Sequence, residues 1–419
     1  MKMHYTKQLF AAAMTFASAY AVGAGFQVLE QGASNMGTAM AGATVNANND
    51  ASAAYLNPAA VSFIEMEVGK TMVSTGLSAV LPTLGMSAPD GNEYDCAQNS
   101  FVPNLFIVHR FTEDLYASVS VTAPYGLESK YEPDWLGKNH GVHSFMLTID
   151  INPSITYKVN DWLTIGGGVS AQYAYCKLTN AYSVLNGDVF DFRAHGWGVG
   201  GNIGFTVEYT EGGRFGFEWR SAVTQDVDGT GRTHGLPAYI PSSSGIDASV
   251  TLPHTFTMGV YQRLPGYFDN FAVMADYSYT MWSSFDSLDI NWHNWIGNRP
   301  TTFKTQENWK DTSRVSFGVH YYPEEIKDLT LRFGVCYDES PVRNAQYRTV
   351  RIPCSDRVWF STGFGYKLAE NIKLDMAYAY IMTVGNSEIA PNQYNPSASQ
   401  NAEYYGHIHV ISAQMTFTF

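Results

Sequence analysis

The sequence predicts an all-β fold: a transmembrane antiparallel β-barrel of about fourteen strands with an N-terminal plug inside its lumen. Three observations carry this expectation. Side chains alternate apolar and polar with period two along most of the chain, connections alternate between very short and long, and the chain stops on a strand whose last residue is Phe419. Period two puts successive side chains on opposite faces of a strand. An even strand number with short turns at one rim and long loops at the other is the pattern of an outer-membrane barrel.

Residues 1–23 read as a secretory signal: Lys2 and Lys7 in front, an apolar run from Leu9 to Val22, then small residues. Ala21-Val22-Gly23 offers a cleavage site before Ala24, and cleavage one residue later is equally allowed. The formal charge of the 419-residue chain is −13 and becomes more negative once the two signal lysines leave, which excludes a nucleic-acid partner. No linker or composition break divides the rest, so one large domain, residues 66–419, is expected after a leading segment, 24–65. After the signal no run reaches the roughly 18 apolar residues of a membrane helix, so any spanning falls to strands whose backbone bonds close on themselves.

The first strands are expected near 66–80, 100–111 and 114–123. The next, 144–158, shows the pattern plainly: Leu147, Ile149, Ile151, Ile155 and Tyr157 alternate with Thr148, Asp150, Asn152, Ser154 and Thr156. Further strands are expected at 162–176, 194–209, 214–226, 249–264, 271–284, 311–322, 329–338, 357–368, 372–383 and 407–419. A soluble sandwich also alternates, so the composition of the polar face matters. It carries Glu218, Arg220, Asp276, Arg314, His320, Arg332 and Asp375 on many strands, as a polar lumen behind a lipid-facing belt would. The short connections fall at 112–113, 160–161, 210–213, 265–270, 323–328 and 369–371, with long ones between them. A terminal aromatic after a last strand is the feature that barrel assembly machinery reads.

Residues 24–65 differ, being rich in Gly, Ala, Asn and Ser without steady alternation. Placed ahead of the first strand, they fit either inside a wide barrel as a plug or outside it as a periplasmic tail. The second strand is apolar at both parities (Phe101, Val102, Leu105, Phe106, Ile107, Val108), so some of these side chains face inward, which a water-filled porin does not favour. The four cysteines form no metal-binding spacing. Cys336 and Cys354 flank one loop and either bridge its base, leaving Cys96 with Cys176, or all four stay reduced. Asp226-Val227-Asp228-Gly229-Thr230-Gly231 hints at a calcium loop, but Pro237 stands where the closing glutamate belongs, so no metal and no cofactor are expected. No nucleophile or base motif suggests an enzyme.

Ordered short matches then run along the chain: Ala24-Gly25-Phe26-Gln27, Asn57-Pro58-Ala59, Pro124-Tyr125-Gly126-Leu127, Thr251-Leu252-Pro253, Trp309-Lys310-Asp311, Asp338-Glu339-Ser340-Pro341-Val342 and Asp356-Arg357-Val358-Trp359. Together they resemble the FadL/TodX family of outer-membrane transporters for long-chain fatty acids and aromatic hydrocarbons. The resemblance implies a hatch formed by 24–65 and passive movement of a long-chain fatty acid or other hydrophobic small molecule through a lateral opening in the wall. The implied partners are outer-membrane lipid and lipopolysaccharide around a monomeric barrel. Its third strand is expected to kink at Pro124 and Gly126, with the turn at Asn57, Pro58 and Ala59 docking nearby.

The family places a carboxylate-binding lysine in the motif that holds Lys310 here, and Lys310 continues the lumen-facing parity of its strand. Arg314 is the second candidate. A further family cation near the top of the fifth strand is displaced, because Tyr175 stands in its place and leaves only Lys177. Phe26 and Val28 are expected to approach an apolar pocket together with Phe101, Leu105, Phe106 and Ile107, while Leu81, Leu84 and Met86 suit an outer groove. The choice between fatty acid and aromatic hydrocarbon stays open in the sequence.

Overall fold

The computed structural model describes residues 25–182, 185–391 and 401–419, so the signal segment, Ala24 and the cleavage site lie outside the described residues. Fourteen antiparallel strands close into a barrel. They are β1 (Thr71–Ser87), β2 (Ser100–Arg110), β3 (Leu115–Thr122), β4 (His143–Lys158), β5 (Leu163–Tyr182), β6 (Leu185–Thr210) and β7 (Gly213–Arg220), followed by β8 (Thr255–Arg263), β9 (Phe271–Thr280), β10 (Thr312–Tyr321), β11 (Leu329–Asp338), β12 (Asp356–Ala369), β13 (Ile372–Val384) and β14 (Ala402–Thr418). The seam joins β1 to β14 from Met72 opposite Thr418 to Ser87 opposite Glu403, so the sheet has no outer edge along this seam.

Burial is inverted relative to a water-soluble protein. Ile155, Val169, Val199 and Phe317 stand exposed on the outside, while Asn152, Gln172, Glu218, Asp276, Arg332 and Asp375 are buried within. That is what period two must give when lipid, not a core, faces the apolar side. Phe111, Tyr157, Trp162 and Tyr209 are exposed beside the short turns, where an interfacial girdle belongs. A closed ladder of this kind satisfies its own backbone in lipid. Detergent-purified protein is therefore expected to give a β-dominated circular dichroism spectrum and a heat-dependent position on a gel. A helix-dominated spectrum would overturn this fold.

Several strand limits differ from the sequence expectation. β1 begins at Thr71, and β6 runs for 26 residues, far beyond the roughly 10 that cross a bilayer. Several of the expected long loops contain further strands, and two of them extend the wall together: Val223–Thr233 pairs with β6 and with Ser243–Leu252, which reaches Ser287–Trp292 and then Thr301–Gln306. These pieces raise one side of the wall above the membrane. They carry Asp, Gly and Thr at many positions because no lipid demands an apolar outer face there.

The segment ahead of β1 lies within the barrel. It contains two single-turn helices, α1 (Ala33–Met36) and α2 (Ala53–Leu56), and 3-10 turns at Ala43–Val45 and Pro58–Phe63. α1 packs against β12, β13 and β14, α2 against β2 and β3, and the two turns against β4 to β8. Side chains of the wall hold it. The Asp276 carboxylate accepts from Gly42 N at 2.6 Å and Thr44 N at 3.1 Å, Lys373 Nζ donates to Asn48 O at 2.7 Å, and Arg220 Nη2 donates to Tyr55 O at 2.5 Å. Small residues in the wall permit this closeness. A Cβ at Gly166 would lie 2.6 Å from Ala59 N, and one at Gly204 would lie 2.2 Å from Asn57 Oδ1.

Candidate functional site

The site begins at a bulge. Thr122 faces Asp150 and Gly126 faces Leu147, so the three residues 123–125 stand opposite only two, 148 and 149. One extra residue bends a strand locally, and Pro124 has no N–H to return it to the ladder. The N-terminal segment takes up the bent backbone instead. Val28 N donates to Pro124 O at 2.8 Å, Gly126 N to Phe26 O at 2.9 Å, and Gln31 Nε2 to Ala123 O at 2.8 Å. The pairing then resumes as Gly126–Lys130 against β4.

Across the wall, β2 pairs with β3 only through residues 105–110, whereas 100–104 pair with β1 alone among the described strands. A break in the wall therefore lies between 100–104 and the bulge. Both polar atoms of the buried Asn104 amide, on its edge, are without a hydrogen-bond partner. Immediately inside sits an aromatic cage. The Phe26 ring lies 4.8 Å from Trp282, 5.4 Å from Phe285, 5.5 Å from Trp309 and 6.0 Å from Tyr125, centroid to centroid.

Phe26 is also part of the lining of a narrow apolar cavity of about 100 Å³. The apolar lining comes from a change along the inward face of β5, from Ser170 and Gln172 to Ala174, Cys176 and Leu178. Phe192 and Ala194 of β6 and Val227 beside them complete that wall. Two ionisable loop residues reach the same space. Burial pushes the Glu307 carboxyl up to about 8, against the opposing effect of a hydrogen bond from Trp309 Nε1 at 3.1 Å to its Oε2. Arg351 meets neutral groups: Nη1 donates to Ser144 Oγ at 2.9 Å and to Thr179 O at 3.3 Å, and Nη2 to Asn180 Oδ1 at 3.4 Å.

The residues singled out in the sequence fall in several places. Phe26 lines the cavity, while Val28 packs below it against the wall. Phe101, Leu105 and Ile107 do not face a pocket: they occupy the outward parity of β2, with Phe101 41% exposed. Phe106 does point inward but packs against the N-terminal segment beside Ala53 and Val61. Leu84 and Met86 join the buried cluster around Trp135, and Leu81 alternates to the other face. The Asn57-Pro58-Ala59 turn docks on β4 to β6, where Thr156 Oγ1 donates to Pro58 O at 2.5 Å, and not at the bulge, which Phe26 to Gln31 occupies. Gln27 forms an isolated antiparallel bridge with Tyr125 at that point.

The cations are redistributed as well. β10 starts at Thr312, so strand parity does not extend to Lys310, whose Nζ lies 2.5 Å from Glu339 Oε1. Arg314 is inward but below the cage, beside Asp276 and Glu218. Lys177 sits between two cavity-lining residues, on the opposite face of β5, and its Nζ lies 3.4 Å from His143 Nδ1. No disulfide joins Cys336 to Cys354 or Cys96 to Cys176, and Cys354 Sγ instead accepts from Gly25 N at 3.3 Å. Arg351, Glu307 and the cage partner Phe285 escaped the sequence reading. The available signal was a single charge between apolar neighbours, Val350-Arg351-Ile352, in a segment with no period.

The profile of the family described as "Outer membrane protein transport protein (OMPP1/FadL/TodX)" matches residues 14–419. The chain is 26% identical over 423 residues to the long-chain fatty acid transport protein of Escherichia coli O6:H1, spanning 91% of this chain and 92% of that one. To outer membrane protein P1 of Haemophilus influenzae (strain Rd) it is 27% identical over 426 residues, spanning 90% of each. The fold matches that of a Pseudomonas aeruginosa FadL homologue with a TM-score of 0.78 at 21% identity, over 94% of this chain and 99% of that one. It also matches the Ralstonia pickettii toluene transporter TbuX, with a TM-score of 0.68 at 19% identity, over 92% and 98%. A closed fourteen-strand wall, its internal N-terminal segment and a profile match over nearly the whole length agree: this chain belongs to the OMPP1/FadL/TodX family of outer membrane transport proteins.

Proposed function

We propose that this protein carries hydrophobic small molecules, long-chain fatty acids foremost, across the outer membrane without energy input and through the side of its barrel. The observation that supports this most is the adjacency of an apolar cavity and a break in the wall, with residues 26–28 between them. Moving an acyl chain into water costs about 0.8 kcal/mol per CH₂. An exit from apolar cavity to bilayer avoids that cost, whereas an axial route past Asp276, Arg220 and Arg332 does not. In this reading residues 24–65 are the plug, 66–419 the transport domain, and Pro124 and Gly126 the gate. The barrel works as a monomer, placed by the assembly machinery among lipid and lipopolysaccharide, and does no chemistry on its cargo.

Aromatic hydrocarbons are the second reading, favoured by the small cavity and by the ring cage around Phe26. Both readings share one test. Ala194→Trp fills the cavity from β6 and leaves every residue of the plug unchanged. In cells lacking any other such transporter, uptake of both oleate and toluene is expected to fall to background with the folded barrel still present. Undiminished uptake of both would sink the proposal.

A further inference from the structure

We propose that the outside of the barrel binds one acyl lipid of the outer leaflet, with a tail in a groove over β10 to β13 and its headgroup end on His407 and His409. The site lies across the barrel from the break beside β2 and β3, and it does not depend on the transport reading. A closed barrel is convex to lipid, yet here its outer face is hollowed by a groove of about 660 Å³. Gly318 and Gly334 stand opposite each other at inward positions, which lets the wall lie flush on the internal segment: a Cβ at Gly334 would come 2.1 Å from Thr38 C. The floor of the groove is therefore bare backbone. Phe317, Phe333 and Phe360, each about half exposed, rise around it.

The register gives the groove a direction. His409, Tyr380, Phe360, Val335 and Phe317 are successive cross-strand partners from β14 to β10. His409 is nine residues from Thr418 at the short-turn rim, whereas Phe317 is only four from Tyr321 at the same rim. In a barrel of tilted strands this row descends from the long-loop side into the membrane, as a lipid anchored in the outer leaflet does. Its upper end is polar. His407 and His409 take outward positions of β14 with their rings 5.1 Å apart, and Tyr380, part of the groove, lies 5.5 and 5.3 Å from them. Ile411, the next outward residue, already belongs to the apolar belt that lipid covers. An imidazole at the border of hydrocarbon costs free energy unless it is hydrogen-bonded. Among the described residues these two rings have one hydrogen-bond partner, the Tyr378 hydroxyl at 2.7 Å from His409 Nδ1. The acyl carbonyl and phosphate oxygens of a lipid are acceptors for the remaining ring N–H groups. Within a bilayer an apolar groove gains no hydrophobic free energy over the surrounding tails, so packing on the rings and the polar contact must together hold the lipid.

The test counts copies of lipid A, a phosphorylated glycolipid of that leaflet, on the delipidated full barrel by native mass spectrometry in detergent. Wild type is expected to hold one copy. Val335→Trp fills the groove from its lipid side and should abolish that copy; Thr362→Trp fills it from β12 and should do the same, which keeps the test sound if the first variant does not fold. His407→Leu with His409→Leu leaves the groove intact and is expected to weaken binding about tenfold, the loss of the polar contact. Val199→Trp, on the outside of β6, should bind as wild type does. The heat-dependent gel position reports folding of each variant. Lipid A held equally by wild type and a folded tryptophan variant of the groove would overturn the site, as would its absence from wild type. Undiminished binding by the double leucine variant would overturn the headgroup placement.

Discussion

Removing residues 24–65 is expected to turn a barrel that holds back small polar solutes into one that passes them freely. The strand ladder does not depend on that segment, since every barrel strand is paired on both sides by other strands over most of its length. The lumen does depend on it. α1, α2 and the turns contact wall strands around most of the circumference, and a barrel of this size without them encloses water. Deletion also uncovers Asp276, Arg220, Glu218 and the Arg332–Asp375 pair at 2.7 Å, a lining that polar solutes favour. Single-channel recording and liposome swelling with a small sugar would read the change. A deleted barrel that inserts yet stays as tight as the full chain would show that the segment is not the plug.

Deleting Pro124 is expected to stop uptake while leaving ligand bound. The bulge exists because three residues oppose two, so removing one restores the register of β3 with β4 and lets the strand run on toward residues 100–104 of β2. A closed wall leaves an acyl chain only the aqueous route, and at about 0.8 kcal/mol per CH₂ that route is shut for a long chain. Uptake of oleate should fall below detection, and its equilibrium binding should stay within a few-fold of wild type. Normal uptake by the straightened barrel would place the exit elsewhere.

The fold was legible where lipid imposes a rule on every second residue. Ile151, Ile155 and Tyr157 against Asn152, Ser154 and Thr156 face as the alternation requires, because a one-residue slip would put the polar set into hydrocarbon. Beyond the bilayer that constraint ends. The outer part of β6, most of Val223–Thr233 and Ser243–Leu252, and the pieces Ser287–Trp292 and Thr301–Gln306 lack the pattern for this reason, and they read as loops. Pro124 and Gly126 read equally as an ordinary strand end by residue type alone, and a kink there was an expectation of the family resemblance. The cavity cation was not legible. Arg351 reaches the cavity by the path of a loop, which no period encodes, and Lys310 was misplaced because its strand starts two residues later. One cavity signal was present and is usable elsewhere: inward positions of β5 that turn from Ser170 and Gln172 to Ala174, Cys176 and Leu178.

The seam between β1 and β14 joins residues whose separation along the chain is nearly its full length. Contacts so distant are the slowest to form, because the intervening chain must be ordered first. The internal segment touches this seam, with Gly32 beside Gln414 and α1 against β14, so it cannot reach its final packing until the last strand arrives. The residues made first are thus enclosed last, and they spend assembly in water. Their composition suits that delay. A filler of Ala, Gly, Asn and Ser, turned rather than helical, offers little surface for aggregation while it waits, which a conventional apolar core of the same volume would not.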